Sequence, residues 1–321
     1  MLIEPALHGG DKLYIVSGYA TPAMAFHHMD ALRKKDSRVS VELIVGMCAQ
    51  EGLAQSHHLG FKRLVERDFK DVFKCSYLTK VPPVHAKVYA WFRGSKPVIG
   101  FAGSANYTQQ SFGPGRREFV VDTEAAECLA YFQRLVSGTI YCEHPDADRE
   151  INIYDDRTFE YAQRMGRLTQ DIIPGPETNR PEIAGLPSVT ISLLDAHGSL
   201  PPRSGLNWGQ RPEQHREPNQ AYIRLPSSVY NKDFFPPRKE HFTVITDDSQ
   251  VLICTRAQDN GKAIETPHNN SLIGIYFRNR LGLASGQRVQ TADLRRYGRT
   301  NITFTRVDPE TYYMDFSVPK S

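Results

Sequence analysis

Hydrophobic and polar residues follow two periods in the first half of the chain. Asp11–Tyr19 and Ser40–Gly46 are short, rich in β-branched residues and bounded by turn formers, so they read as buried strands. Pro22–Lys35 and Leu53–Phe73 carry helical spacing. Three further strands are expected at His85–Phe92, Pro97–Ala102 and Glu118–Asp122. A helix then presents Leu129, Phe132 and Val136 on one face, and residues 150–170 read as another. Alternating strands and helices followed by consecutive strands predict an α/β sandwich, a mixed sheet flanked by helices.

The pattern changes after Asp171–Ser188, where Pro174, Gly175, Pro176, Pro181, Gly185 and Pro187 mark a domain edge. Beyond it, Val189–Leu194, Gln220–Leu225, His241–Thr246, Val251–Thr255, Leu272–Phe277, Ile302–Val307 and Tyr312–Val318 are short strand candidates. Asp247-Asp248-Ser249-Gln250 and Asn260-Gly261 read as turns. Many short strands in so few residues predict a small β-rich barrel or sandwich. The expected domains are therefore 1–175 and 176–321, as a length of 321 residues already suggests.

Composition excludes several classes. With 40% hydrophobic residues and no low-complexity tract, neither a disordered nor a fibrous chain is expected. No apolar run is long enough for a membrane helix, and the first residues lack a secretion signal, so a cytoplasmic location is expected. Five scattered cysteines point to a reducing compartment rather than a disulfide framework. Net charge is only +3, but it is unevenly placed. Residues 1–175 hold 21 bases and 21 acids, and residues 176–321 hold 18 and 15. Within 256–306, nine bases (Arg256, Lys262, Arg278, Arg280, Arg288, Arg295, Arg296, Arg299, Arg306) face three acids (Asp259, Glu265, Asp293). Such an excess suits a phosphate-backbone partner, and equally a plain solvated surface.

The candidate chemistry lies in His85-Ala86-Lys87, Gly103-Ser104-Ala105-Asn106 and Glu118. Two residues apart on a strand, His85 and Lys87 would share a face, about 6.5 Å apart along the backbone. An imidazole can attack phosphorus while the ammonium neutralises phosphoryl oxygens. Small residues at Gly103 to Ala105 admit an anion close to the backbone, and Asn106 offers an amide donor. Glu118 is placed to accept from the far nitrogen of His85 and fix its tautomer. No Asp/Glu cluster of two-metal type accompanies these residues, so no metal is expected. The pairs His27-His28 and His57-His58 lack ligand spacing and read as surface or local packing.

His-x-Lys followed by Gly-Ser-x-Asn resembles the phospholipase D superfamily. His85 matches its nucleophile, Lys87 its phosphate-binding lysine, and Ser104 and Asn106 the second half of its signature. The usual aspartate five residues after the lysine is absent; Phe92 stands there, and the spacer to the glycine is longer. An acidic residue at Glu118 instead is similar to the nuclease branch. His85 alone of the eleven histidines is followed by x-Lys. Relatives with one motif per chain form dimers, so the resemblance implies a homodimer through the N-terminal domain. In its composite site one His85 attacks and the other protonates the leaving group.

The C-terminal half resembles the B3-like pseudobarrel of NgoFVII-type restriction enzymes, carried by Ala292-Asp293-Leu294-Arg295-Arg296-Tyr297-Gly298-Arg299-Thr300 leading into Ile302-Thr303-Phe304. That resemblance implies two arms gripping the major groove of double-stranded DNA. The first arm is Arg203–Arg211, with Arg203, Asn207, Trp208, Gln210 and Arg211 as candidates. The second is about Arg256–Asn270, with Asp259, Asn260, Lys262, Asn269 and Asn270. These residue types suit base reading: Arg for guanine, Asn and Gln for adenine, Asp for cytosine. Arg295, Arg296 and Arg299 are expected on phosphates or at the barrel end. The expectation is a sequence-specific, metal-independent endonuclease. The chain lacks a P-loop, so ATP would enter only through a separately encoded translocase subunit. A DNA-binding regulator with an inactive nuclease fold and a lipid phosphodiesterase are the alternatives.

Overall fold

The computed structural model describes residues 1–35, 38–113, 117–155 and 185–318. The chain divides into two compact units, Met1–Phe159 and Glu160–Ser321. The boundary expected at 175/176 and most of the proline-rich edge lie outside the described residues.

Among the described residues of the first unit nine strands form: β1 (Lys12–Ser17), β2 (Ser40–Val45), β3 (Leu53–Ala54), β4 (Phe73–Leu78), β5 (Lys87–Arg93), β6 (Lys96–Gly103), β7 (Val120–Thr123), β8 (Thr139–Tyr141) and β9 (Ile153–Tyr154). Seven of them make one mixed sheet in the order β7-β6-β5-β1-β2-β4-β8. The β1–β2 and β2–β4 pairs are parallel and the others antiparallel. β1 and β2 are buried on both faces, which is why their sequences are nearly continuous apolar runs. On one face Tyr14, Val16, Ile44, Val88 and Ala90 take the helix Ala125–Val136 through Ala125, Cys128, Leu129 and Phe132. On the other, Tyr77 meets Phe61 and His58 of the helix Gln55–Arg63, which packs against the helix Pro22–Lys34. The α/β sandwich is thus the fold.

Several expectations need correction here. The helix expected over Leu53–Phe73 occupies only Gln55–Arg63, extended by a wider π-type turn to Asp68. Leu53–Ala54 instead pairs with Ile153–Tyr154. Asp71, at φ 68°, turns the chain into β4, a buried interior strand that the sequence reading missed because Lys74, Cys75 and Ser76 interrupt its apolar pattern. The helix expected over 150–170 is not formed at Ile153–Tyr154, and residues beyond 155 lie outside the described set. His28 and His58 are both buried, so one histidine of each pair serves local packing. His28 bonds the Tyr107 hydroxyl and the Leu2 carbonyl, each at 2.7 Å.

The second unit contributes β10 (Ser188–Ser192), β11 (Ile223–Arg224), β12 (His241–Thr246), β13 (Val251–Ala257), β14 (Ala263–Glu265), β15 (Asn301–Arg306) and β16 (Thr311–Asp315). They form the pseudobarrel sheet, ordered β10-β15-β16-β12-β13-β14-β11. Its core gathers Phe234, Phe235, Phe242, Phe304 and Tyr312 in mutual ring contact. The Asp247–Gln250 turn joins β12 and β13, with Ser249 at φ 64°. The expected strand Leu272–Phe277 is instead part of a helix, Ser271–Arg280. Its apolar run reads as a strand, but Asn269 Oδ1 accepts the Ser271 N–H at 3.0 Å and starts a helical turn. Ile273, Gly274, Tyr276, Phe277 and Arg278 are buried around the helix, so no polar stripe betrays its period. The strand Gln220–Leu225 shrinks to Ile223–Arg224. A further helix, Thr291–Tyr297, closed by Gly298 at φ 96°, occupies the segment before β15.

Candidate active site and DNA-binding arms

One edge of the first sheet collects the candidate catalytic residues. β1 and β2 end there, β5 begins there opposite Ser17, and β6 ends where β7 begins, at Gly103 opposite Val120. Crevices at the carboxyl ends of parallel strands are natural ligand sites.

His85 lies just ahead of β5, not within it, and is exposed. Backbone bonds from Val84 to Gly46 (3.0 Å) and from Gly18 to Ala86 (3.1 Å) pin its segment between the ends of β1 and β2. Lys87 opens β5 and is buried; its Nζ donates to the His85 carbonyl at 2.6 Å. Burial pushes the Lys87 ammonium below its ordinary pKa, and the Glu118 charge pulls it back up. The expected shared strand face of His85 and Lys87 is therefore replaced by an exposed ring beside a recessed cation.

Gly103 is fixed by close approach: a Cβ there would stand 2.0 Å from the Phe119 carbonyl. Beyond it the Ser104 N–H donates to that carbonyl at 2.8 Å. Ser104 Oγ donates to Glu118 Oε2 at 2.5 Å and accepts the Phe119 N–H at 2.9 Å. This corrects the role expected of Glu118. The β6–β7 register sets it beside Ser104, and its carboxylate holds that hydroxyl rather than the His85 ring. Tyr89 donates to the Ala105 carbonyl at 2.8 Å and steadies the turn from below.

The sequence reading missed Ser17 and Tyr19, at the end of β1. The buried Ser17 Oγ accepts the Tyr107 N–H at 2.9 Å and donates to the Tyr19 carbonyl at 2.6 Å. The Tyr19 N–H donates to Asn106 Oδ1 at 3.1 Å. Because a backbone N–H only donates, Asn106 must turn its oxygen inward, leaving the NH2 to meet an anion. The Tyr19 ring meets the His85 ring edge-on, centroids 5.7 Å apart. The only sequence signal was the neighbouring Gly18, where a Cβ would fall 2.8 Å from His85 Cδ2. Gly18→Ala is expected to displace the imidazole and slow cleavage about 10²-fold while DNA affinity is kept. Single-turnover assays and gel-shift titration check this; an unchanged rate would show that the ring position does not matter.

In the second unit the first arm is built partly of scaffold. Asn207 is fully buried; its amide donates to Pro201 O (3.0 Å) and Val289 O (2.8 Å) and accepts the Val289 N–H (2.9 Å). This overturns its place among base-reading residues, because every polar atom is spent inside. Gln210 likewise donates to Pro218 O and Gly286 O, each at 3.0 Å. Trp208 lies under the Arg216 guanidinium, 4.1 Å from the ring centroid, and against Tyr222. Arg203, exposed, pairs with Glu213, and Arg211 donates to the Arg203 carbonyl at 3.0 Å. On the second arm Asp259, Asn260, Lys262 and Asn269 are exposed, and Asn260 takes a left-handed φ of 59°. Arg256 holds that turn by donating to Gly261 O at 3.1 Å and Asn260 O at 3.2 Å. Asn270 caps the helix Ser271–Arg280, its carbonyl accepting the Ala221 N–H at 2.9 Å.

The basic excess is also largely structural. Arg278 is buried on backbone carbonyls, and Arg280 is clamped by Asp247. Arg299 ties Asp315 to Thr303 at the barrel end, Arg306 bonds Asp233 O, and Arg256 holds its turn. Lys262, Arg288, Arg295 and Arg296 remain exposed, the last paired with Asp293. Among the described residues no helix is long and apolar enough to cross a membrane, and no group of three His, Cys, Asp or Glu side chains gathers to hold a metal.

Comparison with known proteins matches this two-part layout. The NgoFVII restriction endonuclease N-terminal PLD domain matches residues 1–149, and the NgoFVII C-terminal B3-like DNA-binding domain matches residues 182–308. No curated protein matches the chain. Among solved structures, NucT from Helicobacter pylori is 15% identical with a TM-score of 0.31, covering 44% of this chain and 87% of its own. Nuc from Salmonella typhimurium, a phospholipase D family member, is 15% identical with a TM-score of 0.33, over the same shares. With both of its domains matched in order, the chain belongs to the NgoFVII restriction endonuclease family: a phospholipase D-type nuclease domain followed by a B3-like DNA-binding domain.

Proposed function

We propose that the protein is a sequence-specific DNA endonuclease that cuts through a phosphohistidine without a metal. The observation that carries the reading is the convergence at one sheet edge of exposed His85, recessed Lys87 and an Asn106 amide turned outward by Tyr19. One ring nitrogen of His85 forms a bond to phosphorus as the bond from phosphorus to the leaving oxygen breaks. Lys87 and the Asn106 NH2 take up charge on the phosphoryl oxygens. Glu118 holds Ser104 in place. The leaving oxygen takes a proton from the His85 of a second protomer, which then removes a proton from the water that splits the phosphorus–nitrogen bond. A homodimer through the N-terminal unit supplies that second histidine.

The B3-like unit positions the DNA. Exposed arm residues Arg203, Asp259, Asn260, Lys262 and Asn269 are the base-reading candidates. Trp208, Gln210, Arg211 and Asn270 shape the arms, and Arg288 and Arg295 face phosphates. Location in the cytoplasm and a separate ATP-dependent subunit are compatible with this reading.

Lys87 supplies the cationic charge that a metal gives other nucleases, so cleavage of phage DNA is expected to continue undiminished in excess EDTA. Loss of cutting on chelation, restored by added divalent ions, would refute the metal-free mechanism.

A further inference from the structure

Tyr19 lies outside the signature yet touches both halves of it. Its N–H fixes Asn106, its ring meets His85 edge-on at an interplanar angle of 77°, and its own carbonyl is held by Ser17. Its hydroxyl lies 2.8 Å from both carboxylate oxygens of Glu51, at the end of the short helix Cys48–Glu51 after β2. Burial and the Glu51 charge both raise the phenol pKa, so the hydroxyl stays protonated and donating. The ring is therefore tethered at its tip and at its backbone, and it forms one wall of the space around the His85 imidazole. Glu118, committed to Ser104, does not do this.

We infer that Tyr19 is a positioning residue for phosphodiester transfer at His85 and that Glu51 is its anchor: together they hold the imidazole at the angle from which it attacks phosphorus. The inference rests on the phosphohistidine reading above. A misplacement of about 1 Å at a reacting atom slows reaction by about 10²-fold, so the ring should govern turnover rather than binding.

The test uses the full chain with two probes, bis(4-nitrophenyl) phosphate and double-stranded phage DNA. Tyr19→Ala should lower kcat by about 10- to 100-fold with KM and DNA affinity unchanged. Tyr19→Phe keeps the ring and should lose less. Glu51→Ala, at an exposed position, should match Tyr19→Phe, and the double variant should be no slower than either single one, since both cut the same tether. Thermal melts identify any variant that fails to fold; the exposed Glu51 variant then carries the test. Wild-type kcat in Glu51→Ala and Tyr19→Phe, or a loss seen only in KM, overturns the positioning role. His85→Ala serves as the control: if it still cuts, or if the wild type hydrolyses neither probe, the functional reading fails and the inference falls with it. An inactive His85→Ala beside fully active Tyr19 and Glu51 variants sinks the inference alone.

Discussion

His85→Ala is expected to bind DNA as the wild type does and to lose cleavage by at least about 10⁴-fold, because in the proposed mechanism His85 forms the covalent intermediate. The effect should be this large because the neighbouring groups serve the histidine and do not replace it. Lys87 is recessed and its ammonium is partly spent on the His85 carbonyl, while Ser104 is locked to Glu118. Binding should survive because His85 is exposed at a strand end, with its ring set against Tyr19 rather than in the core. The two quantities are read separately, affinity by gel shift and rate by single-turnover cleavage. Residual cutting near the wild-type rate would remove His85 from the nucleophile role, and a parallel loss of affinity would mean the substitution had disturbed the fold.

Arg278→Met is expected to have the largest effect on the second unit. The guanidinium is completely buried in the helix Ser271–Arg280 and donates to Gln287 O (2.7 Å), Gly274 O (3.1 Å), Pro218 O (3.1 Å) and Leu206 O (3.4 Å). Those carbonyls belong to the base of the first arm, the loop after it, the helix itself and the segment before Val289. Methionine fills most of the volume but takes the guanidinium donor from Gln287 O and Leu206 O, while Pro218 O keeps Gln210 and Gly274 O keeps its place in the helix ladder. At about 1–3 kcal/mol for each of these two carbonyls, a net loss of about 2–5 kcal/mol follows. Denaturant unfolding of the full chain should show the second unit melting earlier and DNA affinity falling with it, while hydrolysis of bis(4-nitrophenyl) phosphate persists. An unchanged unfolding curve would show that the bond set is dispensable.

The two histidine pairs show where sequence reading succeeds. His27-His28 and His57-His58 could be set aside as packing because metal ligation has a spacing rule, and His28 and His58 are indeed interior groups. Spacing rules also made β1, β2 and β5 legible, since a buried strand writes its burial into a continuous apolar run. They failed at β4, where lysine and serine interrupt the run, and at Leu272–Phe277. There a short apolar run fits either period, and the choice fell to the side-chain turn from Asn269 to Ser271 and the depth of Arg278. The basic count erred for a related reason. Charge is a property of composition, but whether an arginine meets a phosphate or a carbonyl depends on which face it occupies.

By itself the sequence determined the two-part plan, the α/β and β-rich classes of the parts, and the candidate residues His85, Lys87, Ser104 and Asn106. Those follow from local patterns, short motifs and the period of burial. The tertiary structure alone decided that Glu118 serves Ser104, that Asn207 is scaffold, that most of the basic cluster is spent internally, and that Tyr19, held at its tip by Glu51, borders the His85 ring. Each of these depends on a contact between residues far apart in the chain, set by strand register and by which hydrogen-bond partner lies within reach. A register shift of one residue would exchange those partners while leaving every local pattern intact.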